Sequence, residues 1–266
     1  MNRMKHDRYR YTAILLPVLA GCIMVVLLQT KVIHSLFGLG ELQLPLPSAI
    51  GRAFAAGVGD ILRNAAVTLI PAVSGMAAGG IIGYMTALIA VRFPRGGYGS
   101  LIIMTAVNSV PAVALASVMN CWFDTALVVK AGVATVMTMG IMTVNAYKGL
   151  DSPGKADLDL MALCGASRLD VFTKLRIPAS IPDVFSALKL NCTIAMMGTI
   201  ISEFFASETA GLGFMIKYCL RTGNQKDIGW AYRLAATILS LALYGLVCIV
   251  EKRMLHWHVS VRKTGK

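Results

Sequence analysis

Six long apolar stretches constrain this chain more than any other feature of its sequence. Each is about 20 residues or longer, and a bilayer core about 30 Å thick is crossed by about 20 helical residues. The stretches cover residues 11–30, 65–91, 101–119, 127–147, 184–206 and 228–250. The sequence therefore predicts an all-α integral membrane protein with about six transmembrane helices.

The composition agrees with a membrane protein and argues against an ordinary soluble one. Hydrophobic residues make up 56% of the chain, charged residues make up 14%, and the mean hydropathy is +0.69. A soluble all-helical protein with very apolar helices is the alternative, and uninterrupted runs such as residues 13–28 disfavour it. The first stretch is longer than the apolar part of a signal peptide and no small-residue cleavage site follows it, so we expect a retained anchor.

The basic residues indicate which side of the membrane each loop occupies. Sixteen of the 25 Lys and Arg residues fall on one side if six spans alternate. They are Arg3, Lys5, Arg8, Arg10, Arg92, Arg95, Lys148, Lys155, Arg168, Lys174, Arg176, Lys252, Arg253, Arg262, Lys263 and Lys266. Because basic residues in short loops resist translocation, both termini are predicted to be cytoplasmic. The net charge of +12 thus indicates membrane topology. The basic residues are scattered over several loops, which disfavours a nucleic-acid-binding surface.

Neither the cysteines nor the histidines form a recognisable metal or disulfide pattern. The six cysteines are dispersed and have the character of small apolar residues. Only Cys121 and Cys219 share the predicted external side, which leaves a disulfide between them open. His256 and His258 are close in sequence, but a two-residue spacing does not align side chains on a helix, so we predict no metal site.

One segment nearly matches a nucleotide-binding loop. Residues 149–156 read GLDSPGKA, whereas the pattern GxxxxGK[ST] ends on a hydroxyl that binds magnesium. Ala156 has no hydroxyl, and the segment follows a predicted membrane helix instead of a buried strand. The sequence also contains no nucleophile elbow, metalloprotease helix or pair of carboxylates with catalytic spacing. We therefore predict no enzyme and no cofactor bound by this chain.

Two predicted spans carry small or polar residues that affect how helices approach one another. Gly75, Gly79 and Gly83 recur at four-residue spacing in the second span, which predicts close helix packing, with a moving interface as the functional alternative. The third span is expected to kink at Pro111. The polar residues beside that proline, Asn108 and Ser109, either line a cavity or satisfy freed carbonyl groups.

The predicted external segment, residues 31–64, has a Pro-rich entry followed by a weakly amphipathic helix. The charged residues of that helix are Arg52, Asp60 and Arg63. A helix of this kind is expected to lie along the membrane surface.

The longest cytoplasmic segment, between spans four and five, has the pattern of a helical hairpin. Residues 158–164 are expected to form a short helix that exposes Leu158, Met161 and Leu163, and Gly165 allows a turn after it. An apolar face on a cytoplasmic hairpin favours a docking element, with a plain helical hairpin as the alternative.

The second helix of this hairpin has clear start and stop signals. Ser167 is expected to cap it, with Asp170 three residues later at the positive end of the helix dipole. Pro178 and Pro182 are expected to end it.

The hairpin resembles the EAA loop of ABC-importer permeases. The resemblance rests on Gly165-Ala166-Ser167-Arg168, on Ile177-Pro178 with thirteen residues from the glycine to the proline, and on Pro182. Residues 187–207 and 211–213 also resemble that family, and the similarity covers about residues 45–258. Residues 46–48 and 257–262 resemble the branch that includes nitrate, sulfonate, taurine and pyrimidine or riboflavin permeases. Where the family often has Glu-Ala-Ala, this chain has Asp159-Leu160-Met161, which leaves open how the loop contacts its partner.

The resemblance implies a type I ABC importer permease in the bacterial inner membrane. Such a subunit forms the translocation pathway, docks two copies of a separate ATPase that uses the ATP, and receives solute from an extracellular or periplasmic binding protein. It also implies a homodimer with the pathway at the two-fold axis. The residues that would couple to the ATPase are Asp159, Met161, Ala162, Leu163, Gly165, Ala166, Ser167, Arg168, Pro178 and Pro182.

Polar residues within the spans are the candidates for the pathway. They are Asn108, Ser109, Asn191, Thr193, Ser202 and Glu203. An acid at membrane depth is costly and is a functional candidate for that reason. For Glu203, direct solute contact, support of a gate, access to water near the external end and pairing with Arg233 all remain open.

The resemblance leaves the solute open. The sequence suggests a pyrimidine- or riboflavin-like compound or a sulfonate- or nitrate-type anion. An ion-gradient-driven secondary transporter is the alternative function, and a membrane scaffold or enzyme is the third. In this reading the chain divides into an anchor and external segment (1–60), a permease domain (61–258, with the cytoplasmic coupling loop 148–183) and a basic tail (259–266).

Overall fold

The computed structural model describes residues 2–38, 40, 44–206, 209–222 and 226–255, and within them all side chains except those of residues 2–14 and 94–96. Every regular element in this part of the chain is a helix, as predicted. The helices are α1 (Asn2–Gln29), α2 (Val32–Phe37), α3 (Pro47–Ala56), α4 (Val58–Arg92), α5 (Pro94–Val107), α6 (Ala112–Trp122), α7 (Ala126–Leu150), α8 (Lys155–Leu163), α9 (Arg168–Asp170), α10 (Ile177–Phe205), α11 (Leu212–Thr222) and α12 (Lys226–Met254). A π-helical segment, Val171–Arg176, joins α9 to α10. The predicted tail 259–266, with His256 and His258 before it, lies outside the described residues.

Four helices in the described part of the chain are long and apolar enough to cross a membrane. They are α4, α7, the continuous helix Arg168–Phe205 and α12, and they contain the second, fourth, fifth and sixth predicted spans. The first predicted span falls in α1, whose described apolar part, Leu15–Gln29, is shorter than a bilayer crossing. The count of six spans and the cytoplasmic termini therefore stay predictions.

The third predicted span is not one continuous helix. Residues 97–107 and 112–122 form two helices that meet at 93°. Pro111 lacks a backbone N–H and disfavours helical geometry at the residue before it, so the helix ends before the proline and restarts after it. The predicted kink is thus confirmed in place, but the bend is too sharp for a single straight span.

Helices α4, α7 and α10 form the core of the molecule, with α7 packed against both of the others. The predicted glycine face of α4 lies on α7. A Cβ atom at Gly75 would lie 2.5 Å from the carbonyl oxygen of Ala131, and one at Gly79 would lie 2.6 Å from that of Thr135. The glycines therefore let the two backbones approach closely, which confirms the packing interpretation of their spacing.

Apolar clusters hold the helices together at both ends of the core. At the predicted external end, Ile61 of α4 and Tyr232 of α12 pack around Leu212 and Ile216 of α11. At the predicted cytoplasmic end, the cluster comprises Ala87, Met142, Ala146, Leu150 and Ala187. Large apolar side chains elsewhere on α4 and α12, such as Ile81 and Leu241, are exposed, as expected for helices that face lipid.

The predicted amphipathic external helix is divided in two. The break is at Gly57, so that Arg52 lies on α3, whereas Asp60 and Arg63 lie in the first turns of α4. The last turn of α3 packs Phe54 against the external apolar cluster. The prediction that one helix carries all three charged residues was therefore wrong.

Candidate coupling hairpin and translocation residues

The first helix of the hairpin that is predicted to be cytoplasmic (residues 151–176) is α8. Its N-terminus is closed by Asp157, whose carboxylate accepts a hydrogen bond of 3.0 Å from the N–H of Gly154. The side chains of Leu160 and Leu163 are 61% and 86% exposed. Leu158 and Met161 are half-buried, so the prediction that they are exposed with Leu163 was wrong. At about 100° per residue, Leu158 and Met161 point away from Leu163, whereas Leu160 lies close to Leu163 on the same face of the helix.

The turn after α8 has the geometry that its glycine predicts. Gly165 has a φ of +69°, in the left-handed region. The N–H of Ala166 donates to the carbonyl of Met161, and that of Gly165 donates to the carbonyl of Ala162, each over 3.0 Å. This pair of bonds is a Schellman motif, which satisfies carbonyl groups left open at the end of a helix. The turn is therefore fixed by backbone hydrogen bonds.

The predicted cap of the second helix is confirmed. The N–H of Asp170 donates to Ser167 Oγ over 3.2 Å, and the N–H of Ser167 donates to Asp170 Oδ2 over 3.1 Å. Lys174 pairs with Asp170 over 2.6 Å one turn later. These reciprocal bonds form a capping box, which fixes where the second helix starts.

The prediction that Pro178 and Pro182 end this helix was wrong. The helix continues without a break from Arg168 to Phe205. Pro178 lies in the first turn of α10, and the turn before it is π-helical, with the N–H of Ile177 donating to the carbonyl of Phe172. A widened turn tolerates a proline that lacks an N–H, because its ring no longer meets a regular helical carbonyl ladder.

Three leucines dominate the exposed apolar surface of the hairpin. Leu169 of α9 is 73% exposed, and Leu160 and Leu163 of α8 are exposed as well. The remaining predicted coupling residues of the hairpin surround them: Asp159, Ala162, Ser167 and Arg168 are exposed, and Ala166 is half-buried. The predicted coupling residues of the hairpin thus lie in one stretch of chain, residues 159–168, whereas Pro178 and Pro182 lie further along on α10.

The predicted pathway residues of α10 do not share one face. Asn191 and Ser202 are fully buried, and Asn191 Nδ2 donates to the carbonyl of Thr138 on α7 over 3.2 Å. Thr193 is exposed on another face of the same helix. Asn191 and Ser202 therefore point into this chain's own helix core, and only Thr193 of the three can meet solute or another chain directly.

The predicted pathway residues of the third span lie at the break between α5 and α6. Both Asn108 and Ser109 are exposed. Ser109 lines a groove of about 500 Å³ together with Tyr98, Thr105, Val144 and Tyr147, among other residues. Asn108 instead packs beside Gly140 of α7. A Cβ atom added to Gly140 would lie 3.0 Å from Cγ of Asn108.

Glu203 lies in a buried polar cluster, and of the alternatives left open for it, the structure shows neither access to water nor pairing with Arg233. Its side chain is fully buried, and Lys130 Nζ of α7, 2% exposed, lies 3.6 Å from Glu203 Oε1. Thr68 Oγ1 of α4 donates to the same oxygen over 2.9 Å. Arg233 instead stacks over Trp230 at 4.9 Å. Burial of the acid therefore rests on a cation and a hydroxyl from two other helices.

The polar cluster also holds the segment that leads into α11. The N–H of Gly213 donates to Glu203 Oε2 over 2.7 Å, and the N–H of Leu212 donates to Thr68 Oγ1 over 2.9 Å. Asn64 accepts the N–H of Gly211 over 2.8 Å. The cluster thus joins α4, α7, α10 and the start of α11 at the predicted external end.

Lys130 is the buried partner of Glu203 that the sequence analysis missed. It stands at the start of the fourth predicted span, within an apolar stretch. A lysine at membrane depth is expected to pair with an acid, and Glu203 stands at the end of the next span, which runs antiparallel. That signal was present in the sequence and would have favoured Lys130 over Arg233.

Comparison with known proteins gives one family and several relatives. Residues 79–256 match the family described as binding-protein-dependent transport system inner membrane component. A probable ABC transporter permease protein of Haemophilus influenzae is 26% identical over 75% of this chain and 81% of its own length.

Two further relatives carry solute names. The formylaminopyrimidine transport permease protein ThiX of Halalkalibacterium halodurans is 26% identical over 58% of this chain and 61% of its own length. The riboflavin transport system permease protein RibX of Chloroflexus aurantiacus is 25% identical over 59% of this chain and 58% of its own length. The matched region thus spans about three fifths of the length of each of these two proteins.

Proposed function

The chain belongs to the family of binding-protein-dependent transport system inner membrane components, and from this premise we propose that it couples to a separate ATPase through its cytoplasmic hairpin. It is a multi-pass permease of the ABC transporter type. The hairpin is the element best suited to receive a partner, because a Schellman turn and a capping box fix its shape before any partner binds.

The single observation that carries this proposal is the exposed leucine surface of Leu160, Leu163 and Leu169. These side chains lie on a short, polar-rich loop outside the predicted membrane spans, where lipid does not cover them. A rigid apolar surface of this kind is stabilised by insertion into a groove of another protein. The ATPase that hydrolyses ATP is that partner in the proposal.

The remaining partners follow from the same assignment. We propose that two copies of this chain form the pathway at a two-fold axis, that two ATPase copies bind on the cytoplasmic side, and that a binding protein delivers the solute outside. In this proposal only the ATPase binds and hydrolyses ATP. The permease sequence agrees, because Ala156 stands where a phosphate-binding loop needs a hydroxyl residue.

The proposed solute is a small organic compound of the pyrimidine or riboflavin kind. The names of two relatives support it. The groove beside Ser109 agrees with it, because Tyr98 and Tyr147 lie in its wall and no charged residue is among the described residues that line it. A sulfonate- or nitrate-type anion is the second candidate, and it would require a cation that this groove does not supply.

Affinity capture tests the proposed function. The tagged chain, extracted from membranes in mild detergent, should co-purify with an ABC ATPase and a binding protein, both identified by mass spectrometry. In liposomes, the captured complex should import the small molecule extracted from that binding protein only when ATP is hydrolysed. Transport by the isolated chain under an ion gradient, with no ATPase captured, would contradict the proposal.

A further inference from the structure

The cytoplasmic hairpin is connected to the two central helices in unequal ways. On one side it runs directly into the transmembrane part of α10, because Arg168–Phe205 is one continuous helix. On the other side, residues 151–154 form a short irregular link between α7 and α8. A force applied to the hairpin therefore reaches α10 along a stiff helix, but reaches α7 along the chain only through this link.

Arg176 provides a second connection to α7. Its Nη1 donates to the carbonyl of Leu150 over 3.2 Å and to Asp151 Oδ1 over the same distance. Leu150 is the last residue of α7, so its carbonyl is one of those left without a partner inside the helix. The residue is also fully buried. A guanidinium at this point satisfies that carbonyl and also faces the negative end of the helix dipole.

The surrounding packing holds Arg176 and α7 in a fixed relation. A Cβ atom at Gly149 would lie 2.8 Å from Cα of Ser180 and 2.9 Å from Cβ of Asp183, so the last turn of α7 lies directly on the first turns of α10. Tyr84 of α4 reaches the same place, with its hydroxyl 3.3 Å from Ser180 Oγ. The Arg176 side chain is only 20% exposed, which limits screening of its bonds by water.

We propose that Arg176 is a positioning residue that fastens the base of the hairpin to the end of α7, so that the hairpin, α7 and α10 move together. This proposal rests on the proposed function for its consequence in transport. Because α7 packs on both α4 and α10, a hairpin tied to α7 moves the whole three-helix core. Without Arg176, the base of the hairpin would be held to α7 only through the link 151–154 and through the packing of α10 on α7.

Spin-label distances test the connection in the permease alone. One label is placed on the native Cys164 of the hairpin and the other on Lys148→Cys at the end of α7, both exposed, in a chain whose other cysteines are replaced by alanine. The distance distribution should be narrow in the parent chain and broader in Arg176→Gln. Lys174→Gln is the matched control: it removes a cation two residues away that pairs with Asp170 on its own helix, and it should leave the distribution narrow.

A second readout separates positioning from a purely structural role. With the captured ATPase in liposomes, Arg176→Gln should keep the amount of bound ATPase but lower the solute imported per ATP hydrolysed by roughly fivefold or more, the usual range of coupling between sites. Asp151→Asn should shift both readouts in the same direction but less, because the Leu150 carbonyl bond remains. A mere loss of fold would lower yield and leave this ratio unchanged.

The outcomes distinguish this inference from the proposed function. Parent-like distance distributions in both Arg176→Gln and Asp151→Asn would overturn it, and Asp151→Asn decides the matter if Arg176→Gln does not accumulate in the membrane. Failure of the parent chain to capture any ATPase would instead overturn the proposed function, while the distances would still show whether Arg176 fastens the hairpin.

Discussion

At the scale of single residues, Glu203 shows how a buried charge is placed by its partners. The acid lies near the end of α10, and its cation comes from the start of α7, which runs in the opposite direction. A buried ion pair is retained only where hydrogen bonds satisfy its remaining oxygens, and Thr68 and the N–H of Gly213 do so here. Glu203 therefore joins α4, α7, α10 and the start of α11 at the predicted external end of the molecule.

Lys130→Met tests this role. Removing one partner leaves an uncompensated buried carboxylate, which should destabilise the protein by about 3 to 5 kcal/mol. Lys130→Met combined with Glu203→Gln should be less destabilising than Lys130→Met alone, because the neutral amide leaves no buried charge and its one oxygen can still accept from either Thr68 or the N–H of Gly213. Thermal unfolding in detergent measures both. The single variant Glu203→Gln completes the comparison. If the destabilisation of the double variant equals the sum of those of Lys130→Met and Glu203→Gln, the two residues do not interact.

At the scale of helices, the glycines of α4 show which positions tolerate a side chain. A Cβ at Gly79 would meet the backbone of α7, whereas one at Gly80 would lie 3.6 Å from Met142 Cε, an ordinary contact. The two neighbours differ only in the direction they face. Packing of α4 on α7 thus depends on position and not on glycine content alone.

Gly79→Ala and Gly80→Ala form a matched pair. Gly79→Ala should destabilise the protein by about 1 to 3 kcal/mol, because the helices must move apart. Gly80→Ala should be neutral or slightly stabilising, since alanine favours a helix by up to about 1 kcal/mol over glycine. The yield of folded protein and its thermal unfolding temperature measure this. Equal loss in both variants would contradict the close-packing interpretation.

The hairpin turn gives a second prediction at the same scale. Gly165→Val places a β-branched residue at a φ of +69°, which strains the turn and should uncouple ATP hydrolysis from solute import. Gly154→Ala is the control, because its φ is −72° and an added Cβ has ordinary contacts. The ratio of solute imported to ATP hydrolysed should fall in Gly165→Val alone. Normal coupling in that variant would count against docking through the hairpin.

At the scale of the whole molecule, the distribution of exposed apolar residues separates two environments. Most lie on the long helices and face lipid, whereas Leu160, Leu163 and Leu169 lie on the cytoplasmic hairpin beyond the predicted spans. In the proposed function, a bilayer covers the first surface and the ATPase covers the second.

Leu163→Asp should weaken capture of the ATPase. A charge in the centre of the leucine surface should lower the amount bound by about tenfold, which corresponds to about 1.4 kcal/mol of binding free energy. Thr173→Asp, which introduces the same charge at an exposed position of the hairpin, should bind as the parent does. Pull-down of the ATPase with equal amounts of permease gives the comparison. Equal binding by both variants would remove the leucine surface from the interface.

The sequence by itself determined the features that depend on neighbouring residues. Apolar length predicted the membrane helices, because a bilayer demands a minimum run of apolar residues. The turn at Gly165 and the cap at Ser167 were also readable, because backbone conformation and capping act within a few positions. The break at Pro111 was predicted for the same reason.

Only the tertiary structure decided the features that join distant parts of the chain. The pairing of Glu203 with Lys130 crosses 73 positions and depends on how α7 and α10 pack. The continuation of the helix through Pro178 follows a π-helical turn, which no local propensity specifies. The bond from Arg176 to Leu150 likewise exists because the end of α7 lies on the start of α10. Local interactions set where helices begin and turn, whereas packing decides which charges meet once the helices are assembled.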